Sequence, residues 1–95
     1  MKEVCVKITG RVQGVFFRQS CKHYAQQRGI TGWVKNCSDG SVEALFQCDP
    51  SRLKDILTWV NIGPEVAQVK QVQLLYEKDC TNPLEGFNII REDNV

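Results

Sequence analysis

Hydrophobic residues in this chain change their period in a fixed order, and that order restricts the fold more than any other feature. Val4, Val6 and Ile8 alternate with Cys5, Lys7 and Thr9, the period-2 pattern of a half-buried strand, before residues 10–14 break it. From Phe17 the spacing becomes helical. Phe17, Cys21 and Tyr24/Ala25 share one face with Gln, Lys and Arg opposite, and Gly29 is placed to stop the helix. A second strand is expected over residues 30–36, and Ser38-Asp39-Gly40-Ser41 signals a hairpin. In the third strand Val42, Ala44, Phe46 and Cys48 alternate with Glu43, Leu45 and Gln47. Asp49-Pro50 reads as a helix start, with the aspartate as cap and the proline at the first helical position. Leu53, Ile56/Leu57 and Val60 make that helix's buried stripe, and Gly63-Pro64 ends it. A long strand is expected over residues 66–78, its alternation interrupted by Lys70, and a short last one over 87–91. The order β-α-β-β-α-β predicts an α+β fold, a ferredoxin-like sandwich with two helices on one face of an antiparallel sheet. All 95 residues, 1–95, read as a single domain.

Composition mainly excludes. No run of about 18 apolar residues exists, so a membrane span is not expected. Residues 1–7 lack an uninterrupted apolar core, so a secretory signal is not expected either, and the chain reads as cytoplasmic. The five cysteines, at 5, 21, 37, 48 and 80, include no C-x-x-C pair, so a zinc or iron–sulfur site is not expected. Their odd number and wide scatter speak against a disulfide framework, and they read as reduced, small hydrophobes. A Cys5–Cys48 bridge is not expected, because alternation sends the two side chains to opposite faces.

The net charge of +1 gives no reason to expect nucleic acid. Its distribution says more. Residues 4–38 hold Lys7, Arg11, Arg18, Lys22, Arg28 and Lys35 with no Asp or Glu, whereas every acid but Glu3 lies from Asp39 onward. One locally cationic end on a nearly neutral protein suits a small anionic ligand better than a long polyanion.

The connection between the first strand and helix reads Gly10-Arg11-Val12-Gln13-Gly14-Val15-Phe16-Phe17-Arg18. Its two glycines permit torsions that turn several successive amides toward one point, an anion nest at a helix N-terminus. Arg18 falls in the first helical turn, where a cation opposes the macrodipole at a cost of about 0.3–1 kcal/mol when exposed. A phosphate lying between amides and guanidinium would reverse that sign, and arginine can hold two of its oxygens. On spacing alone, this reading and that of a solvated surface arginine are equally served.

The whole segment resembles the signature of the acylphosphatase family, Gly-x-Val-Gln-Gly-Val-x-Phe-Arg, matching at Gly10, Val12, Gln13, Gly14, Val15, Phe17 and Arg18. A second family signature, Gly-x-Val-x-Asn-x-x-Asp-Gly-x-Val-Glu, is matched by Gly32, Val34, Asn36, Asp39, Gly40, Val42 and Glu43. The two blocks lie at the family's usual separation, and the likeness extends over essentially the whole chain. One departure is Ile90, where many members carry a basic residue. The resemblance implies that Arg18 and the loop amides of Gln13, Gly14, Val15, Phe16, Phe17 and Arg18 bind a phosphoryl group, while Asn36 positions the attacking water. It implies small acyl phosphates as substrates (acetyl, carbamoyl or glyceroyl phosphates), inorganic phosphate as product, no cofactor, and a monomer with neither nucleic-acid nor membrane partner.

Elementary chemistry makes such a scheme self-consistent. An asparagine orients water but does not usefully accept its proton. The leaving carboxylate has a conjugate acid of pKa about 4 and departs unprotonated, whereas an ester's alkoxide or phenoxide, at about 10 or higher, needs an acid. Acyl phosphates are therefore expected in preference to esters.

Other residues read as bystanders. His23 is expected on the solvated side of its helix, Cys21 in the core, Asp39 in the hairpin turn and Glu43 on a solvated strand face. Lys35 should point away from Asn36, and Arg11 stays open as a source of long-range attraction. Two other functions are distinguishable by experiment. A phosphate-recognition module would bind acyl phosphates without turning them over. An RNA-recognition motif shares the element order but wants a basic-aromatic third strand, and residues 41–47 hold one acid and one aromatic.

Overall fold

The protein was analysed as a computed structural model that describes residues 1–91; residues 92–95, the end of the single domain expected over 1–95, lie outside the described residues. Its elements are β1 (Lys2–Arg11), α1 (Phe17–Gln27), β2 (Thr31–Asn36), β3 (Val42–Cys48), α2 (Pro50–Ile62), β4 (Gln68–Asp79) and β5 (Phe87–Ile90). They form one five-stranded sheet in the order β4-β1-β3-β2-β5. The expected antiparallel arrangement holds for β4, β1, β3 and β2, but β5 joins the β2 edge in parallel, so the sheet is mixed.

Alternation decides which side chains meet the helices. Val4, Val6 and Ile8 of β1, Val34 of β2 and Val42, Ala44, Phe46 and Cys48 of β3 join Phe17, Cys21 and Ala25 of α1 and Ile56 and Val60 of α2 in one core. Phe46 lies over Phe87 with centroids 5.7 Å apart, an aromatic pair worth about 0.5–1.5 kcal/mol beyond its buried area. Trp59 joins the helices, its ring 5.5 Å from Phe17 and 5.3 Å from Tyr24.

The helix ends follow local chemistry, with one exception. At the end of α1, Gly29 takes φ 67°, and the amides of Gly29 and Ile30 donate back to the carbonyls of Gln26 and Ala25, which satisfies two otherwise free acceptors. Pro50 does open α2, but the Asp49 side chain makes no capping hydrogen bond. The Asp49 contribution is its carbonyl, which accepts from the Arg52 amide at 2.9 Å.

Lys70 interrupts the alternation of β4 because it occupies a bulge. Thr9 pairs with Gln71 and Gly10 with Val69, so Lys70 has no residue opposite it, and Leu75 is bypassed in the same way between Cys5–Tyr76 and Val6–Leu74. Gly10, expected to end the first strand, lies within it. A β-carbon there would collide with the Gln68 carbonyl oxygen, so the close approach of β4 requires glycine.

The sheet face away from the helices is less solvated than period-2 alternation implies. Across it run Tyr76, Cys5, Leu45 and Trp33 in register, with Cys5 and Leu45 each 5% exposed. Beside them Gln47 donates to Glu3 (2.8 Å) and accepts from Thr31 and the Leu84 amide, while Tyr76 also donates to Glu3 (2.8 Å). The Gln47 amide and the Tyr76 hydroxyl hold the Glu3 carboxyl below the usual carboxylate range, against the opposing effect of burial.

Candidate active site

The loop from β1 into α1 is pinned by what it buries. Val12, Val15 and Phe17 are almost fully enclosed, and the residues between them turn outward. Two left-handed residues produce that turn, Gly14 at φ 73° and Phe16 at φ 65°. Glycine accepts such torsions freely, whereas for phenylalanine they are strained. The Phe16 side chain is 75% exposed, so no packing of its own holds this conformation. Among the described residues, no amide from Gln13 to Gln19 donates to a backbone carbonyl. The free donors of a helix N-terminus are thus joined to those of a reversing loop, the construction of an anion nest.

Arg18 follows in the first turn of α1, which holds no acid. It is half-buried, and no salt bridge engages it among the described residues. Asn36 closes β2. It lies on the helix-facing side with Gly32 and Val34, so its side chain is carried past the end of the apolar layer toward the N-terminus of α1. Arg18 and Asn36 line one cavity of about 500 Å³ together with Gln13, Cys37, Ser38 and Arg91. They also share an adjoining hollow of about 210 Å³ that opens over Gly14 and Phe16. The Asn36 Oδ1 atom is buried and has no hydrogen-bond partner among the described residues. A buried acceptor that no protein donor engages, at the wall of a cavity, is placed to take a hydrogen from water or a ligand.

Gln13 joins the two halves of the site. Its Nε2 donates to the carbonyls of both Cys37 and Ser41, each at 2.8 Å, tying the β2–β3 hairpin to the loop. The hairpin is held in turn by Asp39, which accepts from the Ser41 amide (3.0 Å) and hydroxyl (2.6 Å) and pairs with Lys7 at 2.7 Å. Lys7 and Ser41 keep the Asp39 carboxyl well below the usual carboxylate range.

The structure therefore brings together Arg18, Asn36 and the amides of residues 13–18. It gives the loop side chains other tasks: Gln13 as a tie, Val15 and Phe17 as core, Phe16 in solvent. His23 is exposed, burial pushes the Cys21 thiol up, and Lys35 lies 5.3 Å from the Trp33 ring on the opposite face. Glu43 accepts from the Cys37 thiol at 3.0 Å and forms no pair with Asp39. Arg11 is exposed at the end of β1. Cys37, Ser38, Ile90 and Arg91 line the cavity although sequence reasoning did not single them out for it. The last strand, expected over 87–91, ends at Ile90, and Arg91 just beyond it keeps the parity of Phe87 and Ile89, which face the core. Among the described residues no three His, Cys, Asp or Glu side chains gather as a metal-ligand group, and no helix is long and apolar enough to cross a membrane.

A family profile described as acylphosphatase matches residues 4–89. An acylphosphatase of Roseiflexus sp. (strain RS-1) is 43% identical over 90 residues, covering 95% of this chain and 96% of the relative. One from Thermococcus kodakarensis is 41% identical over 85 residues, covering 90% and 91%. The crystal structure of acylphosphatase from Bacillus subtilis superposes with a TM-score of 0.89 at 31% identity, covering 95% of this chain and 99% of that one. With its two motifs, its sheet order and a match over nearly its whole length, the chain belongs to the acylphosphatase family of enzymes.

Proposed function

We propose that this protein hydrolyses small acyl phosphates to a carboxylate and inorganic phosphate, with Arg18 and Asn36 as its catalytic residues. The phosphoryl oxygens sit among the amides of Gln13, Gly14, Val15, Phe16, Phe17 and Arg18 and against the Arg18 guanidinium. Negative charge there satisfies donors that otherwise lack acceptors and relieves the conflict between Arg18 and the helix dipole. Asn36 Oδ1 accepts one hydrogen of a water and so aims its lone pair at phosphorus. The bond from this water to phosphorus forms as the bond from phosphorus to the acyl oxygen breaks. The electron pair leaves with the carboxylate, and the water's proton passes to a phosphoryl oxygen. Nothing in the step calls for a general acid or a resident metal; positioning and charge stabilisation supply the rate.

The observation that carries this reading is the buried, unpartnered Asn36 Oδ1 in the same cavity as Arg18. A cytoplasmic, monomeric, single-domain protein is the setting we infer. Five free cysteines suit a reducing compartment, and one core spanning both helices and the sheet suits a protein that acts alone. The test is hydrolysis of benzoyl phosphate beside p-nitrophenyl phosphate with EDTA present. Rapid, chelator-insensitive cleavage of the first and negligible cleavage of the second is expected. A folded protein that binds phosphate but turns over neither would be a recognition module.

A further inference from the structure

The cavity is larger than a phosphoryl group needs. At about 500 Å³ it falls within the range that encloses whole small ligands, about 300–1,000 Å³. Away from the loop it continues over Ser38 and Ile90 to Arg91, and among the described residues neither Asp nor Glu lines it. Parallel pairing of Lys35 with Ile90 sets the end of β5 beside the end of β2, so the chain delivers Arg91 to the mouth of the site. Among the described residues no carboxylate pairs with Arg91. The cavity thus carries two guanidiniums, and the phosphoryl group, held by Arg18 and the amides, requires only the first. An apolar acyl tail would displace water from the second without replacing its hydrogen bonds.

Resting on the acyl phosphate reading above, we propose that Arg91 selects substrates whose acyl group carries a second carboxylate, the mono-phosphorylated derivatives of dicarboxylic acids. One guanidinium beside one hydroxyl, Ser38, matches a singly charged group with two oxygens. The guanidinium edge meets a carboxylate through two parallel hydrogen bonds, and it stays charged at any physiological pH. Because Arg91 is exposed, the selectivity is moderate.

The test compares two rigid substrates of one shape, 4-carboxybenzoyl phosphate and 4-carbamoylbenzoyl phosphate, which differ in the charge at the far end. In the wild type, kcat/KM favours the carboxylate by roughly 3–5-fold, the upper part of what an exposed ion pair supplies. Arg91→Gln brings the ratio to about 1, and Arg91→Lys retains part of the preference as a point charge. A wild-type ratio near 1, or a preference that survives in Arg91→Gln, overturns the proposal while leaving the hydrolase standing. Turnover of neither substrate by the folded wild type overturns the hydrolase reading and this one with it.

Discussion

Replacing Gln13 by alanine tests whether the loop and the hairpin form one device. The substitution removes two hydrogen bonds of 2.8 Å, to Cys37 O and Ser41 O. Neither carbonyl is orphaned, because Cys37 O still accepts from the Gly40 amide (3.1 Å) and Ser41 O from the Cys37 amide (2.8 Å). The loss is therefore two net hydrogen bonds rather than two buried vacancies, about 1–2 kcal/mol in total. For a domain of this size that lowers Tm by roughly 4–16 °C. The kinetic effect should be larger than the stability effect suggests. Asn36 ends the strand that enters this hairpin, and a displacement of about 1 Å at a positioning group can cost about 10²-fold. Urea and thermal unfolding measure the first effect, and kcat for benzoyl phosphate at a temperature where the variant is fully folded measures the second. We expect kcat to fall by about 10-fold or more. A normal kcat in a destabilised variant would refute the link between hairpin anchoring and catalysis. An unchanged Tm would refute the energetic argument itself.

Phe16→Gly removes a left-handed β-carbon whose side chain is 75% exposed, so relief of strain should outweigh the added flexibility of the unfolded chain. Stabilisation of up to about 1 kcal/mol is expected, and a loss of stability in urea melts would contradict the strain argument. The Glu3 and Asp39 carboxyls are both held below their ordinary values, so both stabilise the fold while ionised. Their contribution is complete above roughly pH 5 and is lost as pH falls through the lower folded-state values. The urea midpoint should drop from pH 5 toward pH 2, and Glu3→Gln should reduce that drop; equal slopes in the two proteins would exclude Glu3 from it. With a thiol-specific chromogenic reagent at neutral pH, the half-buried Cys37 and Cys80 should react first. Cys5, Cys21 and Cys48 should wait for unfolding, and fast labelling of Cys21 in native protein would contradict its place in the core.

The sequence made the core legible because period-2 and helical spacing report burial directly. Val4, Val6, Ile8 and Phe46 occupy the faces that alternation assigns them. It could not reveal that β5 runs parallel to β2, since periodicity carries no information about strand direction. Lys70 looked like a flaw in a strand because a bulge is a property of two strands, visible only once Gly10 and Val69 are paired. Asp49 has the residue type of a cap without its hydrogen bond, a matter of rotamer rather than composition. At the site, the two motifs singled out Arg18 and Asn36, and the chain's path brings them to one cavity. What no local pattern could carry was the division of labour inside the loop. That Gln13 spends its side chain on Cys37 and Ser41 depends on a hairpin more than twenty residues away. Arg91 escaped for the same reason, because its approach to the site depends on β5 pairing with the far end of β2.

The central claim is that Asn36 is kept for chemistry rather than for stability. The most direct measurement is therefore made on one variant, Asn36→Ala, reading kcat for benzoyl phosphate and the free energy of unfolding on the same preparation. Because no protein donor loses its partner, removal of this acceptor should leave stability little changed. Loss of the group that aims the water should lower kcat by roughly 10²-fold or more, with inhibition by inorganic phosphate little altered. A slower but equally stable enzyme is the result this account predicts. A variant that keeps its kcat, or one whose activity falls only in step with its stability, would contradict it.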